Sequence, residues 1–290
     1  MNLPLQNVFG HQLALTAGLA LTPPALDEGL SFMKRLGFNG CVVVPKAWDP
    51  SLTAKIAAEI ASKHSMSLQT CGFLPGNEFS PHSQTGHRAA LDEIHRQMQI
   101  QIEFIDAGIG EQLLCGPIDI GWKSREFNQD GYNTWLDALN QLASEQGLQL
   151  AIEPLNGVES PVPNAFTTLS RAIAELKCLR TGIQFDTGHA KARGVSMNQF
   201  VEMTPLIWMF EFANVGRHPL SWRKGINFPG YARNMHLLQK HCVVSDEPFD
   251  PIGVINPLGL QAFCTTTTLG KAAMTSNTRF LKKLGVMSSS

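Results

Sequence analysis

The chain has 290 residues, 43% of them hydrophobic and 16% charged, with a formal net charge of −1. That length holds two ordinary domains or one α/β barrel, and the composition suits a globule with a large core. The near-zero charge gives no footing for nucleic acid or an anionic membrane. No apolar run nears the roughly 18 residues of a membrane span, and the first ten residues lack the basic start and apolar core of a secretion signal.

Strand and helix patterns alternate along the chain. Residues 12–21 read as a first strand. Pro24 and Asp27 lead into a helix over 26–36 that stops at Gly37. Residues 40–44 are a β-branched strand closed by Pro45, and Ser51 starts a helix that runs to about His64. A third strand, 67–73, ends at Pro75-Gly76. A long helix over 87–107 stops at Gly108, a fourth strand covers 112–115 and a helix 131–145. Strand five is 148–153, helix five 165–179, strand six 183–186, then a short helix 197–203, strand seven 206–212 and strand eight 242–245. Eight strands separated by helices, with no break in composition, predict one (β/α)8 TIM barrel. It is a single domain over 1–290, with the barrel at about 12–250 and a C-terminal extension at 251–290.

In such a barrel the reacting groups follow the strand C-termini. Glu153, Asp186, Glu211 and Glu247 fall at or near the ends of strands five to eight, and His189 lies three residues past Asp186. Any one of these acids alone could cap a helix or pair with arginine. Four on consecutive strands converge on one mouth and would repel unless a cation held them.

The six cysteines (Cys41, Cys71, Cys115, Cys178, Cys242, Cys264) are scattered without a CxxC, which reads as reduced, buried thiols in a cytoplasmic protein. Gly116, Gly121 and Gly188 form no phosphate-binding fingerprint, so no nucleotide cofactor is expected. His82, His87 and His95 lack a complete ligand spacing and read as surface histidines. Lys46, Trp48 and Trp122 follow strands two and four at the mouth, where loops either touch substrate or simply cover it.

Glu153-Pro154-Leu155-Asn156-Gly157-Val158-Glu159 is similar to an E-P-L-N-R-F-E motif, Asp186-Thr187-Gly188-His189 to D-T-x-H, and Glu247-Pro248-Phe249 to E-x-F. Asn77, Ser80 and Arg88 fit the loop after strand three, and Gly116-Pro117 the end of strand four. Together these resemble the xylose isomerase-like barrel superfamily, and within it the D-tagatose and D-psicose 3-epimerase group, from the first strand to Phe249. The resemblance implies that Glu153 and Glu247 are metal ligands and the acid/base pair on opposite faces of a sugar, with Asp186 a third ligand. His189 and Glu159 would hydrogen-bond the sugar oxygens, and Arg217 would contact substrate after strand seven. The cofactor implied is Mn²⁺, Mg²⁺ or Co²⁺. The partner implied is a small sugar, with no nucleic acid and no membrane, in a homo-oligomer (dimer or tetramer).

Two departures stand out. The family's strand-seven histidine ligand lies about six residues before its arginine, and here that place is Glu211, a possible fourth ligand that would favour harder cations. The P-G-x-G loop expected next reads Arg217-His218-Pro219-Leu220-Ser221-Trp222-Arg223-Lys224-Gly225, which points to a substrate other than a simple free ketohexose.

The chemistry asks for these residue types. Epimerisation beside a ketone needs a proton removed from a weakly acidic carbon, a cation to stabilise the enediolate, and a second carboxylate to return a proton on the other face. Two other readings use the same barrel. One is a lyase or dehydratase acting on a modified sugar; the other is a metal-free sugar-binding homologue. A DNA-repair endonuclease would need a basic face and more strand-end histidines than this chain has.

Overall fold

Five runs, Gly40–Val43, Leu113–Gly116, Thr181–Asp186, Ile207–Phe212 and Val243–Asp246, are buried at every position. A strand with no exposed face must be packed on both sides, as parallel strands are when helices cover one face and a filled interior the other. The computed structural model describes residues 8–12, 21–45, 48–72, 84–118, 127–215, 220–221, 225–239, 242–246 and 268–288. In chain order the elements are β1 (Val8–Gln12), α1 (Pro23–Leu36), β2 (Gly40–Val43), α2 (Ala54–Lys63), β3 (Ser67–Thr70) and α3 (Gln84–Asp106). Then come β4 (Leu113–Gly116), α4 (Gln129–Glu145), β5 (Gln149–Ile152), α5 (Ala165–Leu176), β6 (Thr181–Asp186), α6 (Thr187–Ala192) and α7 (Met197–Met203). The last are β7 (Ile207–Phe212), α8 (Phe228–Asn234), β8 (Val243–Asp246) and α9 (Thr268–Lys283).

The strands form one sheet in the order β3-β2-β1-β8-β7-β6-β5-β4, parallel in every pair. Bridges Leu68↔Gly110 and Cys71↔Cys115 join its two outer strands, so the sheet closes into the expected TIM barrel. Among the described residues no helix is long and apolar enough to cross a membrane.

Four elements differ from the sequence expectation, α6 among them, since the sequence reading passes from strand six straight to the helix at 197–203. The first strand is Val8–Gln12, earlier than 12–21, and 13–20 lie outside the described residues. α8 was not expected, because a seven-residue helix carrying Pro229 and Gly230 has the composition of a loop. The segment read as an extension after the barrel contains α9, the helix that follows β8. Its Met274, Phe280 and Leu281 join the main core, and Lys271 reaches Glu28 of α1 at 2.6 Å. Asn277 and Thr278 are buried on α9, and two polar residues on the packed face obscure the helical apolar period.

Alternation along each strand divides the core in two. Outward residues such as Val43, Leu150, Phe185, Phe210 and Phe212 pack under the helices, while Val42, Val44, Cys71, Leu113, Cys115, Ala151, Met209 and Val243 form a second cluster inside the barrel. The outer layer over β6 and β7 is aromatic. Phe185, Phe200, Phe210 and Tyr231 contact one another with ring centroids 4.9–5.8 Å apart, and each such ring contributes about 1.5–3 kcal/mol by burial. A register shift between Ile183 and Gln184 sets Ile207 and then Met209 opposite them, leaving Trp208 without a partner residue. The Trp208 ring lies against Gly182, where a Cβ would come within 2.4 Å of it, so only glycine fits there.

Candidate active site at the strand C-termini

Glu153 is the residue just past β5. Its N–H donates to Gly116 O at 3.0 Å, and Gly116 has φ +130° with space for no side chain, since a Cβ would sit 2.1 Å from Gly72 O. Asp186 ends β6 and caps α6, its Oδ1 accepting from His189 N–H at 2.6 Å. Thr187 Oγ1 donates to Ala213 O at 2.7 Å and accepts from Ala213 N–H at 2.9 Å, fastening the start of α6 to the end of β7. The short helix thereby brings His189 back toward β5.

His189 faces acids on one edge and amides on the other. Its Nε2 lies 3.2 Å from Glu153 Oε1 and 3.8 Å from Glu159 Oε2. Its Nδ1 accepts from the backbone N–H of Asn156 at 3.2 Å and lies 3.1 Å from Asn156 Nδ2. A backbone N–H can only donate, so Nδ1 carries a lone pair and the neutral ring holds its proton on Nε2, facing the carboxylates. Glu153, Asp186 and His189 are 4, 2 and 5% exposed. They offer ligand atoms all within 4.8 Å of one another, so this buried cluster could hold a metal ion. The two carboxylates supply oxygen donors that suit a hard divalent cation, with the His189 Nε2–H beside them.

Glu211 is fully buried and stands opposite Asp186 and Ser245 in the strand registers. Its Oε1 accepts from Ser245 Oγ at 2.8 Å and its Oε2 from Gln184 Nε2 at 2.5 Å. Its neighbours Phe210 and Phe212 face the helices, with Phe210 stacked 5.8 Å from Phe185 and Phe212 6.2 Å from Phe228. Glu211 therefore shares the interior face with Asp186, outside the 4.8 Å group formed by Glu153, Asp186 and His189.

The carboxylates mark their surroundings. The Cys71 thiol is pushed well up by its hydrogen bond with Cys115, then by burial and by the charges of Glu153 and Glu211. Cys115 is pushed up first by burial. Tyr231 rises to about 12, through burial and then the Asp186 charge. Asp246, at the end of β8, is driven up by burial and by Glu211, against the opposing effect of Asn277. Its Oδ1 accepts from Asn277 Nδ2 at 2.8 Å, and Asn277 Oδ1 accepts from Leu220 N–H at 2.7 Å, so α9 ties the end of β8 to the segment after β7.

The structure thus brings Glu153, Asp186, His189 and the half-buried Glu159 together, with Glu211 on the adjoining strand. Glu247 and Arg217 lie outside the described residues, as do Lys46, Asn77, Ser80, His82, Trp122 and Cys264. His87 packs edge-on against Trp135 at 5.2 Å and His95 lies beside Gln99; neither joins a metal-ligand group among the described residues. The other five cysteines are free and buried. Sequence reading did not single out Asn156 as the partner of His189, nor Arg193, whose one signal is its place four residues after His189 on a helix.

The sequence profile of the xylose isomerase-like TIM barrel family matches residues 30–252. No curated protein matched by sequence. Among solved structures, an L-ribulose 3-epimerase superposes with a TM-score of 0.79 at 16% identity, covering 96% of this chain and 94% of that one. D-allulose 3-epimerase from Methylomonas sp., in complex with D-allulose, gives 0.78 at 13%, covering 98% and 99%. The 3-keto-D-glucoside 4-epimerase of E. coli gives 0.64 at 16%, covering 84% and 92%. At these identities the superpositions speak for the fold, and with the profile they make the chain a member of the xylose isomerase-like TIM barrel family.

Proposed function

We propose that the chain is a divalent-metal-dependent sugar isomerase/epimerase of the ketose 3-epimerase kind. The observation that carries this is the geometry at the end of β5 and β6. Glu153 and Asp186 are buried side by side, and His189 is oriented by Asn156 so that its Nε2–H faces the same space. Glu153 and Asp186 would hold Mn²⁺, Mg²⁺ or Co²⁺, with Glu247 and Glu211 as further ligands. The His189 tautomer argues against the ring as a ligand through Nε2, since that would move its proton to Nδ1, against the Asn156 N–H. Such an ion supplies polarisation of a carbonyl and an adjacent hydroxyl, which makes the neighbouring C–H acidic.

The side chains then divide the work. Glu153 removes the carbon-bound proton from one face and Glu247 returns one on the other. His189 donates from Nε2 to a sugar oxygen, Glu159 accepts from a hydroxyl, and Arg217 steadies the far end of the sugar. Glu211 in place of the motif's histidine favours a second reading, an enzyme of the same barrel acting on a modified sugar.

Incubation of the Mn²⁺-loaded protein with a panel of ketoses and keto-glycosides in deuterated water tests both. Deuterium at the carbon beside the carbonyl of a ketose supports the first reading, and uptake confined to keto-glycosides the second. No uptake with any member of the panel would count against both.

A further inference from the structure

The loop that carries Asn156 and Glu159 holds itself only in part. Asn156 Oδ1 accepts from Val158 N–H at 2.9 Å and Glu159 N–H at 3.2 Å, an Asx-type turn that shapes the loop but does not fix it to the barrel. Leu155 at its start is buried in the main core, and the polar attachment comes from α6. Arg193, at its C-terminus, donates from Nε to Leu155 O at 3.0 Å and from Nη2 to Ser160 O at 2.9 Å. One rigid guanidinium thus grips the carbonyls at both ends of the loop. Its third nitrogen lies over Gly157, where a Cβ would stand 3.4 Å from Nη1. In the motif this loop resembles, position 157 is an arginine; here the guanidinium arrives from the helix and the loop residue is glycine.

His189 and Arg193 are four residues apart, so they share one face of α6 and meet the same loop. Each holds what the other needs: Arg193 sets the loop, and the loop's Asn156 N–H sets the His189 tautomer. We infer that Arg193 is a positioning residue of the active site, fixing the 155–160 loop so that Asn156 orients His189 and Glu159 reaches toward it. This rests on the proposed function only in treating His189 and Glu159 as working groups.

The test compares wild type with Arg193→Met and Arg193→Lys by hydrogen–deuterium exchange, and by ¹⁵N spectra of the imidazole rings assigned with His189→Gln. Neither readout needs metal or sugar. In Arg193→Met, amides of 155–160 should exchange roughly tenfold faster while β-strand amides keep their protection. The His189 signals should move from the Nε2–H pattern toward those of a freely exchanging ring. Added guanidinium ion should restore both, and Arg193→Lys should fall between. Unchanged loop exchange and an unchanged ring pattern would overturn the inference, as would faster exchange spread evenly over the barrel. Mn²⁺ binding, measured on the same samples, separates the two claims. A wild type that binds no Mn²⁺, with a loop released in Arg193→Met, sinks the metal reading alone; a Mn²⁺-binding wild type with an unmoved loop sinks the clamp alone.

Discussion

The two walls of the barrel mouth are built from different chemistry. At the ends of β2, β3 and β4 the interior face presents Val44, Cys71 and Cys115; at the ends of β5 to β8 it presents Glu153, Asp186, Glu211 and Ser245. The strands are parallel on both sides, and apart from the register shift between β6 and β7 the difference lies in side chains. One wall is apolar and thiol: the hydrogen bond between its sulfurs and then burial push Cys71 up, while burial pushes Cys115 up against that same hydrogen bond. The other gathers carboxylates that only hydrogen bonds or a cation can keep together. The low-dielectric wall also strengthens any interaction the acidic wall makes. A fold that needs eight strands for stability has spare chemistry at their ends, and among the described residues the carboxylates gather on the later strands.

The largest effect should follow from disabling the acidic wall. Asp186→Asn retains an oxygen to cap α6 but removes a charge, and proton exchange with the responsive sugar should fall by about 1000-fold or more, near 4 kcal/mol of barrel-mouth function. Its melting temperature without metal should hold or rise, because a buried like charge is gone. Exchange within tenfold of wild type would place the chemistry elsewhere.

Toward the start of β7, in the interior cluster that also holds Cys71 and Cys115, Trp208→Ala should leave an unfilled space beside Gly182 and cost about 3–5 kcal/mol in urea unfolding. Proton exchange per folded molecule should be unaffected; a parallel loss of both would mean that this end of the barrel supports the mouth directly.

On the thiol wall, Cys115→Ala should cost about 1 kcal/mol of stability and leave Mn²⁺ affinity within about twofold. A larger loss of affinity, read by calorimetric titration, would break the distinction between the walls.

The smallest effect belongs to a pair on the outer helices. Asp27 is held below the usual carboxylate range by its hydrogen bonds with Lys63 and then His64. A lowered folded value means stability that is present above the ordinary 3.8 and lost as pH falls through the folded value. The group is exposed, so the effect is weak. Asp27→Asn should lower the melting temperature slightly at neutral pH, and the difference should vanish in acid. A difference that persists in acid would assign the loss to packing.

Much of this was legible in the sequence, for a physical reason: strands buried on both faces read as apolar runs, and an acid ending such a run is conspicuous. That is how Glu153, Asp186 and Glu211 could be named. The strand-seven register was open in the sequence, since Ile207-Trp208-Met209-Phe210 is apolar throughout and a one-residue slip changes nothing in the pattern. The bulge beside Trp208 is a packing outcome set by Gly182, 26 positions earlier. Asn277 and Asp246 escaped notice because a polar residue on a packed face looks like a surface residue until its partner is known. Arg193 escaped for a similar reason: an arginine that binds only carbonyls leaves no charge pattern behind.

The central claim is that the acidic wall holds a divalent cation. Titration of chelator-stripped protein with Mn²⁺, followed by electron paramagnetic resonance of the free ion, measures it most directly. Wild type should show one tight site per chain, lost in Glu153→Gln and in Asp186→Asn and kept in Cys115→Ala. Wild-type protein that leaves all the Mn²⁺ free, or variants that bind it as wild type does, would contradict it.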